Sequence, residues 1–313
     1  MVEVWLPYGD VEIPIPLPDP IDIKINPRRI IPKRKEGDVF RELNRVLSGF
    51  DRVRILDSPL LFSSEKKVIG GILDSLGIDY LFVDEDPNIV LNVVRDDPLI
   101  GLKNSIAIYN FEYKYGGDPA IISKGDPILC SLPDKLDEVL LIDMVVDGLS
   151  RLIDIYVWGE GSSVEELRNM YNNYWGMKTE LSSLVIASVG GDPWDNEVEA
   201  IYSSILKLYK ISDSDMILVL IGRGLIRDGD VPNIISSISG SGSVSYLSIV
   251  FSRLMELSSR GRHIYYFGGL PDILFKGLGV KPIRNINRFI RLLPSKVKRS
   301  VTIIEDIFHL SIQ

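Results

Sequence analysis

The sequence predicts an α/β protein built from two α/β domains with largely parallel sheets. Short apolar strands alternate with amphipathic helices along most of the chain, which is typical of right-handed strand-helix-strand crossovers. The length of 313 residues favours two domains over one. The periodicity lapses over residues 171–183, between two such blocks, so we place the domain boundary there.

These observations predict an N-terminal domain over residues 1–175, a C-terminal domain over 182–300 and a final strand in 301–313. The pattern alone does not assign that final strand to either domain. Residues 2–19 alternate apolar and polar residues between prolines, which is typical of edge strands because proline cannot donate in a central ladder. The basic residues of 28–35 predict an exposed linker, or else an arm that engages an acidic partner.

Each remaining element follows from its period and end signals. In the first half we expect helices over 39–50, 63–77 and 162–174, and strands over 52–58, 78–86, 105–111, 119–125 and 138–146. Ser163 and Glu166 form a capping-box pattern at the start of the third helix. In the second half we expect strands over 183–188, 216–222, 263–269 and 300–306, with helices between them. The segment 239–243 has the most flexible composition.

Composition excludes several classes of protein. The net charge of −8 and the pI near 5.0 disfavour binding to nucleic acid and to anionic membranes. The apolar runs are too short and too interrupted to span a membrane, and the first residues do not resemble a signal peptide, so we expect a cytoplasmic protein. Cys130 is the single cysteine, which excludes an internal disulfide. The near absence of glutamine and the many charged residues fit a thermophilic source.

Two glycine turns that follow strands are candidate ligand sites. Gly190 and Gly191 let the chain leave a strand, and Asp192 with Pro193 suits the start of a helix. Free amides there can bind an anion, but Asp192 and Asp195 would repel it, so a structural turn is favoured. Arg223 lies in the next such turn. It is either a residue that binds a ligand carboxylate or an ordinary surface arginine.

Metal and catalytic motifs give a weak signal. Asp143, Asp147 and Asp154, or the acidic residues of 83–86, have the chemistry of a divalent-cation site, but such carboxylates are usually solvated and we expect no metal. His263 and His309 are the only histidines, stand far apart in sequence and accompany no nucleophile motif. The catalytic residues are therefore not identified.

Several segments, in order, resemble the nickel-pincer lactate racemase family. They are "LPYGDVEIPIPLPD", "VRILDSPLLFSSEKKVIGGILDSLG", "GDPAIISKGDPILCSLPDKLDEVLLI", "DIYVWGEGSSVEELRNMYNN", "LVIASVGGDPWDNEVEAIYSSILKLYK" and "HIYYFGGLPDILFKGLGVKPI". The resemblance implies a site in an interdomain cleft, a nickel-pincer nucleotide tethered to a lysine, a histidine on nickel and two histidines that shuttle the hydrogen of a 2-hydroxy acid. It also implies that the last strand returns to the N-terminal domain.

The departures from the family pattern fall on its functional groups. Asp57 is retained, but the arginine that follows it in the family is replaced within Asp57–Leu61. The region of the lysine tether and of one histidine reads "VVDGLSRLIDIYVWG", and the Asn-His pair appears as Asn172 and Asn173. A carboxamide is a poor nickel ligand compared with imidazole. We therefore expect no cofactor.

The leading hypothesis is a lactate racemase-like protein without the nickel-pincer chemistry that binds a small carboxylate or a partner in the cleft. Candidate ligand residues are Asp57, Gly190, Gly191, Asp192 and Arg223. The first alternative is an active racemase or epimerase of 2-hydroxy acids that uses carboxylates such as Asp57 and Asp143. The second alternative is a structural or subunit role with an unknown protein partner. Whether the chain is an enzyme stays open at this point.

Overall fold

The structure is a computed structural model that describes residues 2–17, 22–114, 116–119, 122, 139–177, 180–226, 230–239, 244–258 and 263–311. The chain divides into two compact units. Residues 1–28 and 177–313 form one of them, called here the terminal unit. Residues 29–176 form the other, called the central unit.

The terminal unit is built on a six-stranded, all-parallel sheet of order β14-β13-β12-β11-β15-β3. Its strands are β3 (Asp22–Asn26), β11 (Leu184–Ser188), β12 (Ile217–Ile221), β13 (His263–Phe267), β14 (Val280–Ile283) and β15 (Ser300–Ile304). The inner strands are apolar on both faces, as expected for a parallel sheet covered on both sides. The order reverses at β11, since β12 to β14 lie on one side of it and β15 on the other.

An antiparallel hairpin of β1 (Val2–Tyr8) and β2 (Val11–Leu17) covers one face of this sheet. Its inward residues Val4, Leu6, Ile15 and Leu17 are buried with Ile186, Val219 and Ile303 of the sheet. Full burial of such side chains contributes about 1.5–3 kcal/mol each. Pro14 and Pro16 lie on β2, in agreement with the predicted edge position of these strands.

The helices of the terminal unit are α5 (Val198–Ile211), α6 (Asp230–Ser239), α7 (Tyr246–Ser258) and α8 (Ile286–Leu292). Helix α8 shares the hydrophobic core of the hairpin, whereas α5 packs against α7. The predicted inward face of α5, formed by Val198, Ile201, Ile205 and Leu208, is buried as expected. These helices hold the sheet from which the strand-end turns project.

The central unit has a five-stranded sheet of order β10-β9-β6-β4-β5, parallel except for β10. Its strands are β4 (Val53–Leu56), β5 (Tyr80–Val83), β6 (Ile89–Val93), β9 (Leu140–Val146) and β10 (Leu152–Val157). A small hairpin of β7 (Arg95–Asp97) and β8 (Gly101–Lys103) follows β6. The helices are α1 (Glu36–Leu47), α2 (Ser63–Ser75), α3 (Ser105–Tyr109) and α4 (Val164–Trp175).

The path of the chain differs from the predicted domain ranges of 1–175, 182–300 and 301–313. Residues 1–28 belong with the C-terminal residues, because β3 pairs with β15 and the hairpin covers the same sheet. Strand β15 lies beside β11, so the last strand does not return to the central unit. Strand partners are chosen by packing over long sequence separations, which local periodicity does not encode. The boundary at 176/177 falls within the predicted lapse at 171–183.

One predicted element also differs in type. Residues 105–111, predicted as a strand, form α3 and a following π-helical turn; Asn104 caps α3 by accepting the Ala107 N–H. A short apolar run does not distinguish a buried strand from a buried helix, and the cap decides it here. The strand predicted over 119–125 lies almost wholly outside the described residues. Cys130 and most of the segment 239–243 lie outside them as well. The Ser163 cap is confirmed, although the Glu166 carboxylate accepts from the Tyr156 hydroxyl.

Candidate functional site

The carboxyl edge of the terminal sheet is the first candidate site. In open α/β sheets ligands bind outside the carboxyl ends of strands where the strand order reverses, which is here the crevice between β11 and β15. Gly190 and Gly191 follow β11 with φ values of 126° and 79°, so the predicted need for glycine is confirmed. A Cβ on Gly190 would lie 2.9 Å from Asp306 Cγ, so the turn presses against the chain that follows β15.

Asp195 organises this edge. Residues Trp194–Asn196 form a short 3₁₀ turn, and α5 begins only at Val198, with Glu197 as its N-cap residue. The prediction that Asp192 caps this helix is therefore wrong. Asp195, before the helix, is fully buried. Its Oδ2 accepts the backbone N–H groups of Gly9 at 2.8 Å and of Arg223 at 3.0 Å, so the chain bonds to the neighbouring turns before α5 begins. Its Oδ1 is also buried and accepts no hydrogen bond from the described residues.

The turn of the hairpin, Gly9 and Asp10, is called the hairpin tip and lies on this edge. Its Gly9 carbonyl accepts the Asp192 N–H at 2.7 Å, and the Pro7 carbonyl accepts the Ser188 hydroxyl at 2.7 Å. The Asp10 carboxylate pairs with Arg223 Nη1 at 3.1 Å. The predicted candidates Gly191, Asp192 and Arg223 are thus brought together, with the hairpin tip as their common neighbour.

The rest of the crevice is also filled by the chain. Arg28 donates to the Gly190 carbonyl at 3.4 Å and to Glu12 at 2.8 Å, while its own N–H donates to Glu305 at 2.9 Å. Asp306 accepts the His309 N–H at 3.0 Å and contacts His309 Nδ1 at 2.8 Å. The His309 ring is fully buried against Trp194, with ring centroids 4.5 Å apart.

The acidic side chains at this edge disfavour the binding of anions. Burial raises the pKa of Asp195, although the two backbone N–H groups oppose that shift. Burial, and then the Asp195 charge, raise the pKa of Tyr8, so this phenol stays protonated. Both arginines are already paired with carboxylates. An incoming anion must therefore displace an acidic side chain of the protein.

Asp57 marks the second candidate site, at the carboxyl edge of the central sheet. The strand order there reverses between β4 and β6, and Asp57 directly follows β4. Its carboxylate forms an ion pair with Lys66 of α2. The nearby Glu112 carboxylate accepts the Ser58 hydroxyl at 2.9 Å, and burial raises the pKa of Glu112. Leu60, within the segment where the family has its arginine, is buried.

A buried charge network lies near the same reversal point. It joins Glu65 of α2 to Arg95, Asp97 and Lys103, which follow β6. Lys103 Nζ lies 2.5 Å from both Glu65 oxygens, Arg95 Nε lies 3.1 Å from Glu65 Oε1, and Arg95 Nη1 lies 2.5 Å from Asp97. All four side chains are almost completely buried, with the Arg95 guanidinium 4.3 Å from the Phe62 ring centroid. Desolvation lowers the pKa of Lys103 to about 8 despite the attraction of Glu65.

The three aspartates considered as metal ligands are buried but bind different partners. Asp143 accepts from Asn92 Nδ2 at 2.8 Å, from the Ser105 amide and hydroxyl, and from Trp158 Nε1. Asp147 pairs with Arg151, and Asp154 bonds to Arg34 and Tyr174. Among the described residues no group of three or more histidine, cysteine or acidic side chains is arranged to hold a metal.

Sequence reasoning missed the buried charge network and the central role of Asp195. From the sequence alone, Asp195 is only a negative charge at a helix start that would repel an anion. A charged residue beside buried tryptophan in "DPWDN" was a usable signal, since buried carboxylates need donors. The network had a weaker signal, because Glu65, Arg95 and Lys103 come from separate elements.

Fold and site together define a protein of two α/β units whose strand-end crevices are filled by its own polar groups. No protein-family model matches the sequence, and no curated protein is similar to it. Among solved structures, the chain is similar to the lactate racemase apoprotein from Thermoanaerobacterium thermosaccharolyticum, with 10% sequence identity, a TM-score of 0.62 and coverage of 100% of both chains. At this identity the likeness shows the fold, which is lactate racemase-like. None of the helices in the described ranges has the length and apolar character needed to cross a membrane.

Proposed function

We propose that this protein keeps a lactate racemase-like fold without nickel-pincer chemistry and binds a small carboxylate through Arg223 at the carboxyl edge of the terminal sheet. The observation that carries the absence of nickel-pincer chemistry is that polar groups of the chain at both strand-reversal points are already bonded to one another. Hydrogen bonds and ion pairs within the chain already use Asp57, Asp195, Arg95 and Lys103.

The residues present do not fit a lysine-tethered nickel group. His263 opens β13 at the amino end of the strand, which is the opposite edge from the candidate site. His309 is buried and holds Asp306. The β9-to-β10 turn, where the resemblance places the tether, reads Asp147-Gly148-Leu149-Ser150 and has no amine. Imidazole and amine donors are thus missing from the positions where the chemistry needs them.

Arg223 is the best ligand-binding group on the same edge. Its side chain is 35% exposed, and a guanidinium binds carboxylates through two parallel hydrogen bonds. Gly191 and the hairpin tip approach closely, so a ligand there must be small.

The experiment is metal analysis of the protein purified from its native host by inductively coupled plasma mass spectrometry. We expect nickel far below one equivalent per chain. Stoichiometric nickel that survives dialysis against a chelator would contradict the proposal.

An enzyme that uses carboxylates is the second candidate, because Asp143 has a pKa raised to about 6 by burial, a value suited to proton transfer near neutral pH. However, the Asp143 carboxylate is fully buried and already accepts four hydrogen bonds. A substrate can reach it only if one of these partners moves. Retained activity toward any 2-hydroxy acid that is lost in Asp143→Asn would favour this candidate.

A further inference from the structure

The hairpin tip presents to Arg223 the chemical group that a small acidic ligand would present, a carboxylate. Gly9 offers an N–H donor to Asp195, and Asp10 offers a carboxylate to Arg223. Both contacts lie beyond the carboxyl ends of β11 and β12, where open α/β sheets bind their ligands. The tip therefore lies on the edge of the sheet at which this class of fold binds ligands.

The close approach of the tip depends on Gly9. This residue has φ of 60°, and a Cβ there would lie 2.6 Å from Arg223 Cδ. The aliphatic part of Arg223 therefore lies against the glycine backbone, which fixes the place of the guanidinium. Within the described residues Arg223 donates from its side chain through Nη1 to Asp10.

We propose that the Asp10 carboxylate is an internal competitor for Arg223, so that the hairpin tip gates a site for small carboxylates. This proposal rests on the proposed function, because it takes Arg223 as the ligand-binding group. It adds that the site is held closed by a residue of the chain itself.

The strength of the Asp10–Arg223 pair suits a gate. The Asp10 side chain is 77% exposed and that of Arg223 35%, and ion pairs this exposed are weak. A ligand carboxylate can displace such a partner at modest cost. By contrast, the Gly9 N–H bond to buried Asp195 keeps the hairpin docked while Asp10 moves away.

The test is isothermal titration of sodium malonate in low-salt buffer into the wild type and three variants of the full chain. Asp10→Asn removes the competing charge and keeps the shape of the side chain. Asp10→Asn combined with Arg223→Gln removes the gate and the ligand-binding group. Asp272→Asn is the matched control, because Asp272 is an exposed carboxylate of the same unit that pairs with Arg284 and not with Arg223.

We expect Asp10→Asn to bind malonate about 2- to 5-fold more tightly than the wild type, the range that loss of an exposed ion pair allows. The control should show less than half of this gain, and the double variant should not bind. Equal affinity of wild type and Asp10→Asn, with binding abolished in the double variant, would refute the gate and leave the proposed carboxylate site standing. A gain in affinity that persists in the double variant, or that Asp272→Asn reproduces, refutes the gate as well. Absence of binding in the wild type and in every variant refutes both proposals.

Discussion

Asp195 shows how one buried carboxylate holds an edge that could have been a ligand site. It joins the hairpin tip to the β12 turn by accepting two backbone N–H groups that lie far apart in sequence. Because burial raises its pKa, the charged form is held at a cost that these two donors offset only in part. The side chain is thus committed to the architecture of the terminal unit.

Asp195→Ala is expected to lower the free energy of unfolding by about 3 kcal/mol, because it leaves two buried N–H donors without an acceptor. Asp195→Asn should cost less, because its single oxygen can still accept from Gly9 and Arg223. Urea unfolding followed by tryptophan fluorescence measures both. Equal losses for the two variants would contradict this role for the carboxylate oxygen.

The raised pKa of Asp143 predicts that the stability of the central unit depends on pH. Its pKa is raised from 3.8 to about 6 by burial, so the folded chain holds a proton between these pH values that the unfolded chain has lost. Its contribution to the free energy of unfolding therefore falls as the pH rises from about 4 to about 6, by about 3 kcal/mol.

Comparison of the wild type with Asp143→Asn over this pH range tests the assignment. The wild type should gain about 3 kcal/mol relative to the variant when the pH falls from about 7 to about 4, since the amide does not titrate. If the difference in unfolding free energy between the wild type and Asp143→Asn does not change with pH, Asp143 is not the group that titrates.

At the scale of elements, the buried charge network ties α2 to the β7–β8 hairpin. Glu65 comes from the first turn of α2, whereas Arg95, Asp97 and Lys103 come from the hairpin. Two acids and two bases balance in charge, yet the lowered pKa of Lys103 shows that desolvation outweighs the attraction of Glu65. The network therefore fixes the arrangement of these elements more than it adds stability.

Removal of one partner should be costly. Lys103→Met is expected to lower the free energy of unfolding by about 3–5 kcal/mol, because the buried network is left with two carboxylates and only Arg95 to balance them. The double variant Lys103→Met, Glu65→Gln should lose less than the sum of the two single losses.

The matched control is Lys66→Met on α2, the helix that carries Glu65. The Lys66–Asp57 ion pair is partly exposed, so it should contribute less than about 1 kcal/mol to the free energy of unfolding. Chemical denaturation of the wild type, the two single variants, the double variant and the Lys66→Met control gives all these values. Strict additivity of the Lys103 and Glu65 effects would mean that the two side chains act independently.

At the scale of the whole molecule, the chain begins in the terminal unit, forms the central unit and then returns. Residues 177–313 lack β3 and the hairpin, whose Leu6, Ile15 and Leu17 complete the core. The central unit is one continuous segment. We expect residues 29–176 expressed alone to give a cooperative thermal transition and residues 177–313 alone to give none, as measured by circular dichroism. The opposite result would contradict the assignment of the first 28 residues.

Much of this fold can be predicted from sequence because strands such as Leu184–Ser188 and helices such as Val198–Ile211 carry strong local periodicity. The turn glycines Gly190 and Gly191 were also predictable, since positive φ demands that residue type. The place of β3 and the partners of Asp195 were not, because both are decided by contacts distant in sequence. The helical state of Ser105–Tyr109 was not evident either, because a short apolar run fits a strand as well as a helix and the Asn104 cap is a weak local signal. The ligand role of Asp57 stays a prediction, and its pairing with Lys66 was not evident from the sequence.

The central claim is that a lactate racemase-like shell is retained here without its metal-dependent reaction. Chiral chromatography of L-lactate after prolonged incubation with protein purified from its native host tests it most directly. We expect the L-lactate to remain enantiomerically pure. Formation of D-lactate in proportion to the amount of protein would contradict the claim.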